Sequence, residues 1–280
     1  MIKMYQGING KAIKENRPLT RSELLEVVPS VFQYDAHESR SARFAPVPTI
    51  DVIDRLAQEN YFPMFATQAR VRDESKREFT KHMLRFRQPG QKEGEANEII
   101  LLNANDGTSA YQLISGQFRF VCANGLVMGN TQSNTKIYHK GQNIMDDVIE
   151  GVFEVVKDFD LIDRYKGEMS RIQLDDKQRK SFAVAGYFAK EGLPKPGEAI
   201  NFLYSPEQLL NTRNVNSTDR NSNSLYSTFN IVQQNVMAGG QTGRSDSGRR
   251  RTTRGVTNID KNLDFNSKLW QLATSLVDAA

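Results

Sequence analysis

Cysteine is nearly absent: Cys122 stands alone in 280 residues. A single thiol excludes an internal disulfide and any cysteine-rich zinc module, and it fits a reducing compartment. Histidine is almost as scarce, with His37, His82 and His139 far apart and at no metal-ligand spacing. Nowhere do roughly 18 apolar residues run uninterrupted, as a membrane span needs, and the opening residues Met1 to Gly7 lack the apolar stretch of a secretory signal. The expectation is therefore a soluble cytoplasmic protein with no membrane partner, in which the Asn216-Ser217-Thr218 sequon carries no meaning. An excess of one charge is also lacking. With 37 Lys and Arg against 33 Asp and Glu the formal charge is only +4, so the distribution of charge must carry any argument about partners.

The distribution is informative. In Phe65 to Arg72, strict alternation sends Phe65, Thr67, Ala69 and Val71 one way and Gln68, Arg70 and Arg72 the other. Thr80 to Gln88 repeats the pattern, with His82, Leu84 and Phe86 inward and Lys81, Arg85 and Arg87 outward. A third segment, Gln117 to Val121, adds Arg119. If these strands are neighbours, their polar face is a basic platform suited to a polyanion, with arginine forks for bidentate phosphate contacts. An ordinary solvated sheet face competes with that reading. A second basic element, Arg244, Arg249, Arg250, Arg251 and Arg254, lies in the Gly-, Ser- and Thr-rich stretch 239–255, which reads as a flexible loop able to follow a phosphate backbone. Among nearby aromatics, Tyr138 shares its side of the segment 135–140 with Lys136 and Lys140, so base stacking there is conceivable.

Length allows one large or two smaller domains, at roughly 100 to 200 residues each. Thr20-Arg21-Ser22-Glu23 has the form of a capping box opening a helix through Val28. Thr49 is expected to cap a helix carrying Ile50, Ile53, Leu56 and Ala57, ending near Asn60. A mostly antiparallel meander follows from Tyr61 to about Lys140, with turns at Gln88 to Ala96 and at Asn105-Asp106-Gly107. From Ile144 the period becomes helical, through Val148, Val152, Val155, Val156 and Phe159. Further helices are expected over residues 175–190 and 225–237 and around Leu269, Trp270, Leu272, Ala273 and Leu276, with a helix start at Ser205-Pro206 and a loop over 211–224. The fold class is α+β: an N-terminal arm with helices (1–60), a sheet with its packing helix (61–170), and a helical C-terminal part (171–280).

Other constellations are weaker. The loop 103–110 could cradle a phosphate, but it lacks the second glycine and the Lys-Ser/Thr pair of a P-loop, and a hairpin turn explains it as well. Cys122 shares its strand side with Phe118 and Phe120, as a small core residue would. Asp106, Asp146, Asp147 and Glu150 are the carboxylates from which a metal site could be built, although Asp and Glu in a first helical turn usually serve the helix dipole.

Four ordered motifs point to a family. Asn103, Asn105, Asp106, Gly107, Thr108 and Ala110 form the first, and Arg119, Cys122, Asn124, Gly125 and Leu126 the second. Asn230, Gln233, Asn235, Gly239 and Gly240 form the third, and Arg250, Arg251, Arg254 and Gly255 followed by Asn266, Leu269 and Trp270 the fourth. Together they resemble domain of unknown function 932, an uncharacterised family of plasmids and prophages. The resemblance implies a mobile-element setting with DNA repair and antirestriction as neighbours, and it brings no activity or cofactor. The order of helix, antiparallel strands and long helix is also similar, in topology alone, to Rad52-like annealing proteins. The resulting expectation is a homo-oligomer that binds nucleic acid, single-stranded DNA first, through Arg70, Arg72, Lys81, Arg85, Arg87, Arg119, Lys136, Tyr138, Arg249, Arg250, Arg251 and Arg254, with no catalytic residue, metal or cofactor. The alternatives are a metal-dependent nuclease or phosphotransfer enzyme using Asp106, Asp146 and Glu150, and a protein-binding anti-defence factor.

Overall fold

A computed structural model of the chain describes residues 4–6, 11–14, 17–41, 44–71, 73–90, 94–119, 125–127, 135–139, 143–213, 215, 217–244 and 248–280. They fold as two compact units, one built from the described residues up to 159 and the other from residues 160–280. The class is α+β.

In the first unit the strands β1 (Met4–Gln6), β2 (Lys11–Lys14), β3 (Phe62–Gln68), β4 (His82–Arg87), β5 (Glu95–Asn103), β6 (Tyr111–Arg119) and β7 (Gly125–Val127) follow one another in space as in sequence. The strand β8 (Thr135–Ile137) pairs with β6 beyond the end of β7. All of these pairings are antiparallel. Helix α1 (Arg21–Val27) starts at the expected capping box: Thr20 takes the Glu23 amide and Glu23 takes the Thr20 amide. Arg17 bonds the same carboxylate and holds its pKa down at about 2. A 3-10 turn (Pro29–Phe32) and α2 (Thr49–Gln58) complete the N-terminal part, which packs on the sheet and is not a separate arm.

One core joins Leu24, Val31, Ile50 and Leu56 to the inward strand residues Leu84, Phe86, Ile99, Leu101 and Leu113. The long helix α3 (Ile144–Arg171) closes it with Ile144, Val148, Val152 and Val155, the stripe expected from the sequence. Gly151 permits the close approach, because a Cβ there would meet Leu113 Cδ1 at 2.8 Å. Thr49 departs from expectation. It is the first helical residue, Pro48 holds the cap position, and the Thr49 hydroxyl turns into the core.

The second unit holds α4 (Asp176–Glu191), the 3-10 turn Pro206–Leu210, the short α5 (Ser217–Arg220), α6 (Leu225–Ala238) and α7 (Ile259–Asp278). Asp175 and Gln178 form a second capping box. Gly186 faces Val232, where a Cβ would sit 2.6 Å from Cγ1, so α4 and α6 cross at a residue without a side chain. Trp270 stands edge-on to Phe229 at 6.0 Å. Between α6 and α7 the stretch expected to be flexible is a hairpin of β9 (Gly239–Arg244) and β10 (Arg250–Arg254). Its backbone bonds are closed by its own two strands, so composition alone misled the reading.

Candidate nucleic-acid interface

The basic platform does not form on the central strands. Arg85, Arg87 and Arg119 are all buried, at 7%, 4% and 5% exposure. Arg85 and Arg87 both pair with Glu98, Arg87 Nε lying 3.3 Å from Oε1, and Arg85 Nη2 also donates to Gln117 O at 3.1 Å. Arg119 Nε lies 2.8 Å from Glu95 Oε1. Burial pulls the Arg87 pKa down while Glu98 opposes the shift. The register explains the pairs: Phe86 faces Ile99 and Glu95 faces Arg119, so each acid sits beside its arginine. It also divides them. Cross-strand partners share a face, which puts Arg85, Arg87 and Glu98 on one side of the sheet and Arg119 and Glu95 on the other, with Leu84, Phe86 and Ile99. The alternation holds for His82, Leu84 and Phe86, but the second face of the sheet is buried as well and its two arginines share Glu98 within it.

The remaining residues of that proposal are dispersed. Arg70 is exposed just after β3, Lys81 is half-buried, and Arg72, Cys122 and Lys140 lie outside the described residues. Lys136 and Tyr138 are exposed. They line an open groove of about 720 Å³ whose other wall, on α3, carries Asp147, Glu150 and Glu154. Three carboxylates opposite one lysine disfavour a phosphate backbone there. Asp106 closes its own turn, accepting from Thr108 N at 2.9 Å and Thr108 Oγ1 at 2.6 Å. Among the described residues no three His, Cys, Asp or Glu side chains come together as a metal site, so Asp106, Asp146 and Glu150 do not share one.

The hairpin keeps its arginines in solvent. It is built by the third motif. Asn235 on α6 donates to Leu209 O and Asn211 O at 2.9 and 2.8 Å, fixing the preceding turn. Gln208 in that turn accepts from Thr242 N and donates to Thr242 O, both at 2.8 Å, mimicking a neighbouring strand. Gln241 Nε2 donates to Asn235 O at 2.7 Å, and Gln241 Oε1 accepts from Thr253 Oγ1 at 2.5 Å. Two glycines are demanded by space. Gly239 takes φ +72°, with Arg254 C 2.5 Å from where a Cβ would lie, and a Cβ on Gly243 would fall 1.7 Å from Leu203 O. One face of the hairpin is thus held down. On the other, Arg250 stands opposite Arg244 and Thr252 opposite Thr242. Arg244, Arg249, Arg250, Arg251 and Arg254 are all exposed, and none has an ion-pair partner among the described residues. Directly opposed like charges destabilise a strand pair, whereas a phosphate between two guanidinium groups would bridge them.

Sequence reasoning passed over a polar cluster inside the first unit. His82 is fully buried, with Nδ1 2.8 Å from Ser30 Oγ and Nε2 2.9 Å from Thr49 Oγ1. Ser30 Oγ donates to Gln68 Oε1 at 2.8 Å and Asn103 Nδ2 donates to Thr49 Oγ1 at 3.1 Å, so His82 is assigned as the neutral Nδ1–H tautomer. Tyr111 OH donates to Val47 O at 2.6 Å, and His139 Nε2 lies 2.8 Å from Asn103 Oδ1. Burial holds His82 down at about 4, lowers His139 and raises Tyr111. Each of these groups is satisfied by protein, which makes the cluster a brace between α2, β4, β5 and β6. Asn103 and Asn105 of the first motif belong to it, and that motif was the signal that could have found it.

An α+β chain with a buried polar brace and a cationic hairpin is the class that the structure defines. Residues 36–270 match the family described as "Domain of unknown function (DUF932)", and the chain belongs to it. Two relatives in Escherichia coli (strain K12), "UPF0380 protein YafZ" and "UPF0380 protein YfjQ", are each 41% identical over 266 residues, covering 95% of this chain and 94% of the relative. No solved structure matches the chain, so the topological likeness to Rad52-like annealing proteins has no solved structure behind it.

Proposed function

We propose that this chain binds nucleic acid, single-stranded DNA in the first instance, through the β9–β10 hairpin. The observation that supports the reading is the directly opposed pair Arg244 and Arg250 on one hairpin face, with Arg249, Arg251 and Arg254 also exposed on the same hairpin. Such a surface takes phosphates in forks and needs no covalent chemistry. The hydroxyls of Thr242 and Thr252 add neutral donors on the same face. The strand arginines have no part in it, because each is buried and already engaged by a carboxylate, out of reach of a phosphate. The mobile-element setting, with a role in recombination or repair, rests on the family resemblance, and a homo-oligomer that lines up several hairpins on one strand belongs to the same proposal.

The test is a titration of fluorescent single-stranded and duplex DNA at two or more salt concentrations, with parent and an Arg244→Gln/Arg250→Gln/Arg254→Gln variant. The parent is expected to bind single strands more tightly, and the variant to lose a salt slope of roughly 2, at about 0.7 per phosphate contact removed. Equal binding and equal slope in the two proteins would remove the hairpin from the interface. Magnesium-dependent cleavage of the DNA would instead support the nuclease reading. Light scattering of the intact chain reports the oligomer.

A further inference from the structure

Beside the Asn105-Asp106-Gly107 turn lies a small cleft of about 200 Å³, apart from the hairpin, where one member of the polar brace reaches the surface. Its buried wall is His139, 5% exposed, with Phe44 stacked on the imidazole at 4.5 Å. Tyr138, 64% exposed, stands at the rim, and Arg40, Ser41 and Ser109 complete the lining.

Arg40 gives the cleft its sign. Its Nε and Nη2 donate to Ser39 Oγ at 3.2 and 3.1 Å, which occupies two of the five guanidinium donors. Nη1 lies over Gly107, where a Cβ would come within 2.8 Å of it, so glycine at φ +71° both makes the turn and leaves room for the cation. No described carboxylate pairs with Arg40. The carboxylate of the turn, Asp106, is directed back onto Thr108. A cation, the Ser41 hydroxyl and two aromatic rings therefore meet at the cleft, whereas the Ser109 hydroxyl is turned to Ala110 O at 3.1 Å. The cleft has room for the phosphate alone, held by Arg40 and Ser41, while the attached sugar and base extend outside it along the exposed ring of Tyr138.

We propose that this cleft binds the phosphomonoester of a single nucleotide, either a free nucleoside monophosphate or the 5′-phosphorylated end of a strand. The site is independent of the hairpin. Titration calorimetry of the intact chain with thymidine 5′-monophosphate, thymidine and inorganic phosphate tests it. The monophosphate is expected to bind at least tenfold more tightly than either fragment. Arg40→Ala and Tyr138→Ala, both exposed and so expected to melt like the parent, should each weaken it tenfold or more. Single strands with a 5′-phosphate and a 5′-hydroxyl distinguish the two sources: a preference for the phosphate assigns the strand end, and equal binding with monophosphate affinity retained assigns the free nucleotide. No detectable monophosphate binding at millimolar concentration, or undiminished binding by either variant, overturns the proposal. The hairpin variant should bind the monophosphate like the parent, so failure here and failure of the hairpin reading are separable.

Discussion

Two sets of arginines in this chain have opposite fates. Those on β4 and β6 are only a few per cent exposed, with Glu98 and Glu95 within reach, while those on β9 and β10 stand in water and two of them, Arg244 and Arg250, have a like charge directly across the strand pair. Composition cannot separate the two sets, because an arginine row on a strand looks the same whether the far face is wet or dry. The difference is which neighbours the register supplies. A carboxylate one rung away converts a phosphate ligand into a structural ion pair, and a second arginine in the same place does the reverse.

The sharpest way to break that comparison is to remove the acid on the buried side. Glu98→Gln leaves two guanidinium groups without their counter-charge and should cost about 3–5 kcal/mol of stability, read by chemical denaturation. A loss below 1 kcal/mol would show the strand arginines to be solvated after all. Gly243→Ala comes next. It pushes a methyl group into Leu203 O, and undocking of the hairpin should cost about 1–3 kcal/mol and weaken DNA binding together.

The buried side also predicts a pH dependence. His82 is neutral when folded, with its pKa at about 4, whereas the unfolded chain takes up its proton near 6.5. Stability is therefore full above the unfolded value and falls as pH drops toward the folded one, by about 2 kcal/mol between pH 7 and 5. A denaturation midpoint that stays constant over that range would contradict a neutral, buried His82. The smallest effect on stability belongs to the exposed set. The triple glutamine variant of Arg244, Arg250 and Arg254 should stay within about 0.5 kcal/mol of the parent, or gain slightly from relieved repulsion, while losing DNA affinity. A large destabilisation would make these arginines structural, like those on the strands.

Much of the fold was legible. The capping box at Thr20, the inward residues of β4, the turn at Asp106 and Gly107 and the helical stripe from Ile144 are local signals, and each stands where its pattern placed it. What failed did so at contacts between distant residues. Thr49 reads as a cap, yet its hydroxyl serves His82 and Asn103 from 33 and 54 residues away. The stretch 239–255 has the composition of a loop, but Gln208, Asn235 and the close approach at Gly243 order it as a hairpin.

By itself the sequence determined the periods, the caps, the turn glycines and the membership of a family, because these depend on residues within a few positions of each other or on motifs that can be read in order. Only the tertiary structure decided which arginines meet acids, which face water, and that two asparagines, two histidines and a threonine, far apart in sequence, join one brace. Charge is a property of a residue, but its availability is set by what the fold places within a few ångströms of it.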